Sequence, residues 1–344
     1  MPTRRRILRK FLPGVVAGLA LLSALGFLYE ARGRRLDAQR LPPIGQSVDI
    51  GGRTLLLNCL GSGAPAVVLD AGATTPGYGW IPIQRQLAPL SRTCWFDRAG
   101  EGWSDPGPFP LTSRADAQDL HAALHRAGVA PPYVLVGHSL GGLDVRVFAG
   151  LYPAEVGALV LVESAHEDEP VRAPPAYLGP RPPAFLWHPL HLLFTAAARF
   201  GLLRLAAPPI PAHLPPDDSV RAIVTALSTR PQAIASYSSR GLVGPSSYAA
   251  AHAVTHVGDI PLIVLTRGRL PAAPRSQADS AALAYELVWQ HEMQPQLARL
   301  SPRGRQVILP CSGHGVPEDD PGAIIAAVRE ILMLPHDTIG CPLQ

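Results

Sequence analysis

The sequence is short of several things that carry chemistry in other proteins. It has four cysteines, Cys59, Cys94, Cys311 and Cys341, and no two are close enough along the chain for a zinc or C-x-x-C motif. It has no glycine-rich phosphate loop and no run of metal-ligating residues, so no metal and no organic cofactor is implied. Charge is scarce: 16% of residues are charged against 47% hydrophobic, which excludes a disordered chain and allows a sizeable core. The net charge of +4 invites a nucleic-acid partner, but its distribution removes that reading. Residues 1–40 hold nine of the 30 basic residues and only Glu30 and Asp37 of the 26 acidic ones. The rest of the chain is slightly acidic, with no basic face to meet a phosphate backbone.

What the N-terminus does have is a long apolar run. Arg4, Arg5, Arg6, Arg9 and Lys10 precede an uncharged stretch over 11–29, and Arg32, Arg34 and Arg35 follow it. About 20 apolar residues cross a bilayer core as a helix, and the run exceeds the roughly 7–15 residues of a signal-peptide core. Residues 1–40 therefore read as a basic segment and an uncleaved, single-pass membrane anchor; a secreted protein after signal cleavage is the alternative. The slightly heavier N-terminal charge leans towards an exported catalytic domain.

From residue 41 the chain alternates strand and helix signals, as a mostly parallel sheet requires. Residues 47–50 and 53–57 read as a hairpin turned at Gly51-Gly52. Short apolar strands follow at 66–69, 93–96, 133–136, 158–162, 261–265 and 305–309, eight strands in all. Helical stretches fall near 79–90, 112–128, 140–152, 277–300 and 322–334. Cys59 and Cys94 fall on strands expected to be neighbours, where a disulfide and two buried thiols are both compatible with the pattern. The stretch 165–259 breaks the rhythm with paired prolines and amphipathic pieces at 184–205 and 219–227. Its Phe185, Trp187, Leu192, Leu193, Phe194 and Phe200 need something apolar to cover, which reads as a lid. The expected organisation is thus an anchor over 1–40, a core in two parts over 41–164 and 260–335, a lid over 165–259 between them, and a tail over 336–344.

The most informative stretch is Val136-Gly137-His138-Ser139-Leu140-Gly141-Gly142. It fits G-x-S-x-G between an apolar β-branched run and a helix-compatible segment. A serine hydroxyl is a poor nucleophile unless a sharp strand-to-helix turn holds it exposed beside a base and an oxyanion site. Late in the chain, Ser312-Gly313-His314-Gly315 follows the last strand and offers such a base. Together with Val67–Ala73 and the segment Phe96–Asp105, these motifs make residues 45–335 resemble the α/β-hydrolase superfamily, and lidded esterase and lipase-like members most of all. The resemblance implies an eight-stranded, mostly parallel sheet flanked by helices, with the helical lid inserted after strand 6. It implies a serine hydrolase acting on a small apolar ester or lipid-like substrate, without cofactor, through an acyl-enzyme. It places the nucleophile at Ser139, the general base at His314, and the oxyanion hole at the backbone N–H groups of Ala73 and Leu140. The acid is harder to assign. Glu163 ends a strand, in a place where some relatives carry it, while Asp279, Glu167 and Asp168 are the other candidates. An acyltransferase, a peptidase, or a binding protein without turnover would use the same fold. His138 reads as a packing residue, Asp97, Arg98 and Asp105 as structural, and Asp144 and Arg146 as a solvated or paired surface set. The substrate, the oligomeric state and any Cys311–Cys341 pairing are not fixed by the sequence.

Overall fold

The computed structural model describes residues 2–174, 183–206, 219–242, 244–269 and 276–333. Eight strands form one sheet: β1 (Gln46–Asp49), β2 (Thr54–Leu60), β3 (Ala66–Asp70), β4 (Thr93–Phe96), β5 (Tyr133–His138), β6 (Val156–Val162), β7 (Leu262–Arg267) and β8 (Gly304–Leu309). Their spatial order is β1-β2-β4-β3-β5-β6-β7-β8, antiparallel only at β1/β2 and β2/β4. In the β1–β2 turn the Asp49 carboxylate accepts hydrogen bonds from the Gly51 and Gly52 amides at 2.8 and 3.1 Å. Both glycines have positive φ, which a side chain would strain. Cys59 and Cys94 face each other on β2 and β4 and form a disulfide. The Cys341 half of the Cys311–Cys341 pairing lies outside the described residues.

The central strands are apolar on both faces because both faces are covered. Val68, Leu135, Leu159 and Leu161 pack with α3 (Ser113–Arg126) and α4 (Leu140–Leu151). Val67, Leu69, Val134, Val136, Val160 and Val162 pack on the other side with α2 (Ile81–Leu87) and the final helix, Pro321–Met333. The period-two alternation along each strand thus divides its side chains between two cores. The chain leaves β3 towards β4 on one side and later resumes at β5 on the other. The carboxyl ends of β3 and β5 therefore flank a topological switch point, where open α/β sheets form their binding crevice.

Between β6 and β7 the chain forms helices at Trp187–Arg199, Leu202–Ala206, Ser219–Ser228, Pro231–Leu242 and Gly244–His252. The last two were not anticipated: Gly244–His252 has almost no apolar periodicity, and serines and a glycine interrupt Pro231–Leu242. The expected helix over 277–300 is broken by a π-turn at Trp289–Met293.

The first helix, α1 (Pro2–Arg40), covers the expected anchor, and its C-terminal half docks on the insertion. From residue 13 to 22 every residue is exposed, whereas partial or full burial returns at Ser23, Gly26, Glu30, Gly33 and Asp37. That three-and-four spacing is one helix face. Gly26 meets the backbone of Phe200, and Glu30 and Asp37 both clamp Arg204, at 2.7 and 2.9 Å.

Candidate active site

Ser139 sits between β5 and α4 with φ 53° and ψ −116°, a left-handed conformation rare outside glycine. The turn is held from three sides. The Ser139 amide donates to the Val162 carbonyl at 3.1 Å, and the Ala165 amide donates to the Ser139 carbonyl at 2.9 Å. The Gly141 amide donates to the Ala71 carbonyl at 3.1 Å. The flanking glycines are required by close approach: a Cβ at Gly137 would strike the Gly141 carbonyl, and one at Gly141 would strike the carbonyls of Asp70 and Ala71.

The late loop brings His314 Nε2 to 3.0 Å from Ser139 Oγ. On the imidazole's other side, Nδ1 lies 3.7 Å from Glu163 Oε1. Glu163, directly after β6, is fully buried and also has positive φ (45°). Its carboxylate accepts from the Arg267 amide at 2.7 Å and pairs with the Arg267 guanidinium. Arg267 in turn pairs with Glu286 at 2.6 Å, so the end of β7 fixes the carboxylate at the end of β6. The other candidate acids are placed differently, although Glu167 lines the same cavity as Ser139. Asp279 is exposed near the start of the helix Gln277–Val288, where its amide donates to the Ser276 hydroxyl. Glu167 pairs with Arg146 at 2.6 Å, and Asp168 opens a short helical turn. The structure therefore brings Ser139, His314 and Glu163 together and leaves Asp279 apart from them.

Ala73 and Leu140 line the same cavity as Ser139, a space of about 820 Å³. Its apolar wall includes Leu111 and Leu143 from the core side and Trp187, Leu190 and Phe194 from the insertion. Of the aromatic and leucine side chains expected to cover something, Trp187 and Phe194 face this cavity. Phe185, Leu192 and Leu193 are exposed, and Phe200 lies against α1.

Residues 67–328 match the alpha/beta hydrolase family. The chain belongs to that family. A vacuolar membrane protein of Saccharomyces cerevisiae, itself uncharacterised, is 36% identical over 108 residues, a match covering 30% of this chain and 17% of that protein. This chain thus spans only a small part of that curated relative. Among solved structures, a thermophilic esterase from Thermogutta terrifontis superposes with a TM-score of 0.54 at 22% identity, covering 81% of this chain and 92% of the esterase. The enol-lactonase from Burkholderia xenovorans gives 0.55 at 19% identity, covering 84% and 100%. Likeness at that identity speaks for the fold.

Three features near the centre of this hydrolase, Arg98, the Asp144 and Arg146 side chains, and His138, do more than the sequence alone indicates. Arg98 is buried, and its guanidinium donates to the carbonyl of Ala71 at 2.6 Å and to that of Gly72, the two residues before Ala73. It holds the loop while pairing with Asp70 at 2.9 Å, Glu101 at 3.1 Å and Asp144 at 3.4 Å. Asp144 and Arg146 are therefore not surface residues: each is 1% exposed. Burial, reinforced by Asp116, pushes the Asp144 carboxyl up to about 7. Burial likewise raises Asp70 well above the usual carboxylate range. Glu101 is three residues from Arg98, but Asp70 and Asp144 lie 28 and 46 residues away, and no sequence signal foretold those two pairings. The third feature is His138. Its Nε2 lies 2.8 Å from the His314 carbonyl oxygen, which can only accept, so that nitrogen carries the proton. Burial, with the neighbouring His314 adding to it, lowers the His138 imidazole to about 4. It is a neutral donor that positions the backbone of His314.

Proposed function

We propose that this hydrolase cleaves carboxylic esters of apolar substrates through Ser139, His314 and Glu163. The carrying observation is the 3.0 Å approach of His314 Nε2 to Ser139 Oγ beside a cavity with an apolar wall. Ser139 Oγ attacks the acyl carbon while His314 Nε2 takes its proton. Glu163 orients the imidazole through Nδ1 and stabilises the imidazolium. The backbone N–H groups of Ala73 and Leu140 meet the oxyanion, where fixed donors match charge as it develops. Collapse of the tetrahedral intermediate expels the alcohol, which receives the proton from His314. Water, deprotonated by the same imidazole, then releases the acid. A cavity of this size has room for an acyl chain longer than acetyl.

The N-terminal part of α1 is the membrane anchor in this reading, with residues 41–164 and 260–335 as core, 165–259 as lid and 336–344 as tail. One helix, with its span at Pro13–Arg40, is long and apolar enough to cross a bilayer. The exposed Leu202 and Leu205 flank Arg204, the residue clamped to α1, which supports a lid lying close to the membrane surface. The Cys59–Cys94 disulfide supports an exported, oxidising location for the domain.

The test is hydrolysis of p-nitrophenyl esters of graded acyl length by the full chain in detergent. Turnover that vanishes in Ser139→Ala, with medium or long chains preferred over acetate, is the expected outcome. A folded protein that hydrolyses none of these esters and resists a fluorophosphonate probe overturns the reading.

A further inference from the structure

We propose that His121, His125 and Glu155 form a binding site for a divalent transition-metal ion of the zinc class. His121 and His125 lie one turn apart on α3, and that spacing puts both imidazoles on one helix face. Glu155 comes from elsewhere, the 3-10 turn Pro153–Glu155 between α4 and β6. Each imidazole presents Nε2 to a different oxygen of the one carboxylate, both at 3.0 Å. The ligand atoms of all three residues lie within 4.8 Å of one another. Around a tetrahedral zinc with ligands at about 2.0–2.2 Å, neighbouring donor atoms sit about 3.3 Å apart. The nitrogen-to-oxygen edges of the cluster are already within a few tenths of an ångström of that.

The site is built on fixed elements. The His121 ring is stacked on Tyr152 at 3.8 Å with planes 8° apart, which sets its orientation. The opposite face of α3 is anchored in the core through Leu120, Ala123 and Leu124. The imidazole rings lie 4.3 Å apart, close enough for a single divalent ion to take a nitrogen lone pair from each while it offsets the carboxylate charge. Two imidazoles and one carboxylate suit zinc, cobalt, nickel or copper, whereas magnesium and calcium call for oxygen ligands throughout. His125 is exposed, so a water can complete the shell from the solvent side. Glu155 precedes β6 and Glu163 follows it, so the cluster and Ser139 lie at opposite ends of the strands. The ion would fasten the end of α3 to the turn entering β6, and it would take no part in the chemistry at Ser139.

The test uses untagged, full-length protein in detergent, stripped with EDTA and desalted. Zn²⁺ is titrated against a chromophoric chelator, and Co²⁺ binding is followed by its visible absorption. The expected result is one ion per chain, with binding about 100-fold weaker or lost in His125→Ala and in Glu155→Gln. Esterase turnover should be unchanged in His125→Ala, whose exposed side chain can be removed without opening the core. Failure of the folded wild type to bind, or equal affinity in His125→Ala, overturns the site, since an ion bound equally well there is held elsewhere. These readouts do not depend on whether the protein hydrolyses esters.

Discussion

The sheet and the helical insertion that covers it are held together by different forces. Every residue of β3 and β4 is buried, and β6 and β7 contribute a row of side chains with almost no exposure. Such packing is close to crystalline and tolerates little displacement. The insertion leaves Phe185 77%, Leu193 63% and Leu205 68% exposed. Much of what ties it to the rest is polar: Arg204 to Glu30 and Asp37 of α1, Arg230 to the Gly102 carbonyl, Arg240 to Asp116 and Glu101, and Arg172 to Glu292. The proposed reacting groups, Ser139, His314 and Glu163, stand on the rigid part, and most of the wall of the cavity beside Ser139 is on the other. Changes in the core should therefore alter the chemical step, and changes in the insertion should alter substrate binding.

The sharpest way to break that contrast is at the acid. Glu163→Gln should lower kcat by about 10²- to 10⁴-fold, since it removes the charge facing the imidazolium while nearly preserving shape. Steady-state ester hydrolysis on protein of unchanged circular dichroism checks this, and near-wild-type kcat would move the acid elsewhere. The next largest effect is on stability. Arg98→Met leaves Asp70, Glu101 and Asp144 buried without their shared cation and frees the Ala71–Gly72 carbonyls. Denaturant unfolding should show a loss of about 3–5 kcal/mol, with kcat reduced because the loop bearing Ala73 is loosened.

A third effect depends on pH. The His138 imidazole is held at about 4 in the fold against an ordinary value near 6.5, so the unfolded chain binds the extra proton between those two values. Stability is then unaffected above about pH 6.5 and falls as pH drops from there to about 4, by on the order of 2–3 kcal/mol. His138→Gln keeps an N–H donor for the His314 carbonyl without titrating, and should flatten that part of the stability–pH curve. The smallest effect sharpens the insertion side. Arg204→Gln should change overall stability by no more than about 1–2 kcal/mol, because the glutamine amide still donates to the carboxylates and Arg230 remains 3.6 Å from Asp37. It should raise KM for long-chain esters more than it lowers kcat. An equal fall in kcat would mean that the insertion acts on the chemistry as well as on binding.

The same contrast explains what could be read in the sequence. Strands betray themselves through continuous apolar runs, so β3 to β8 were found to within about two residues. The turn at Ser139 follows from glycines that cannot be anything else. Ser139, His314 and Glu163 could be proposed from the sequence because each follows a strand, although Asp279, Glu167 and Asp168 competed with Glu163 for the acid. The ion pairs were not legible: Arg98 with Asp144, or Arg204 with Glu30, are made across 46 and 174 residues. A charged side chain looks the same in the sequence whether it ends in water or in a core. For that reason Asp144 and Arg146 were misplaced on the surface, and the contacts that α1 makes through Glu30 and Asp37 were not foreseen. The cluster at His121, His125 and Glu155 escaped for a related reason, since its third member lies 30 residues beyond the second.

The central claim is that Ser139 is acylated by an ester and released by water. Acid-quenched intact-mass measurement during turnover of a slow p-nitrophenyl ester tests it most directly. The account predicts a species heavier by one acyl group, mapped to the peptide containing Ser139, present early in turnover and absent from Ser139→Ala. Steady hydrolysis by Ser139→Ala, or an acyl group found on any other residue, would contradict it.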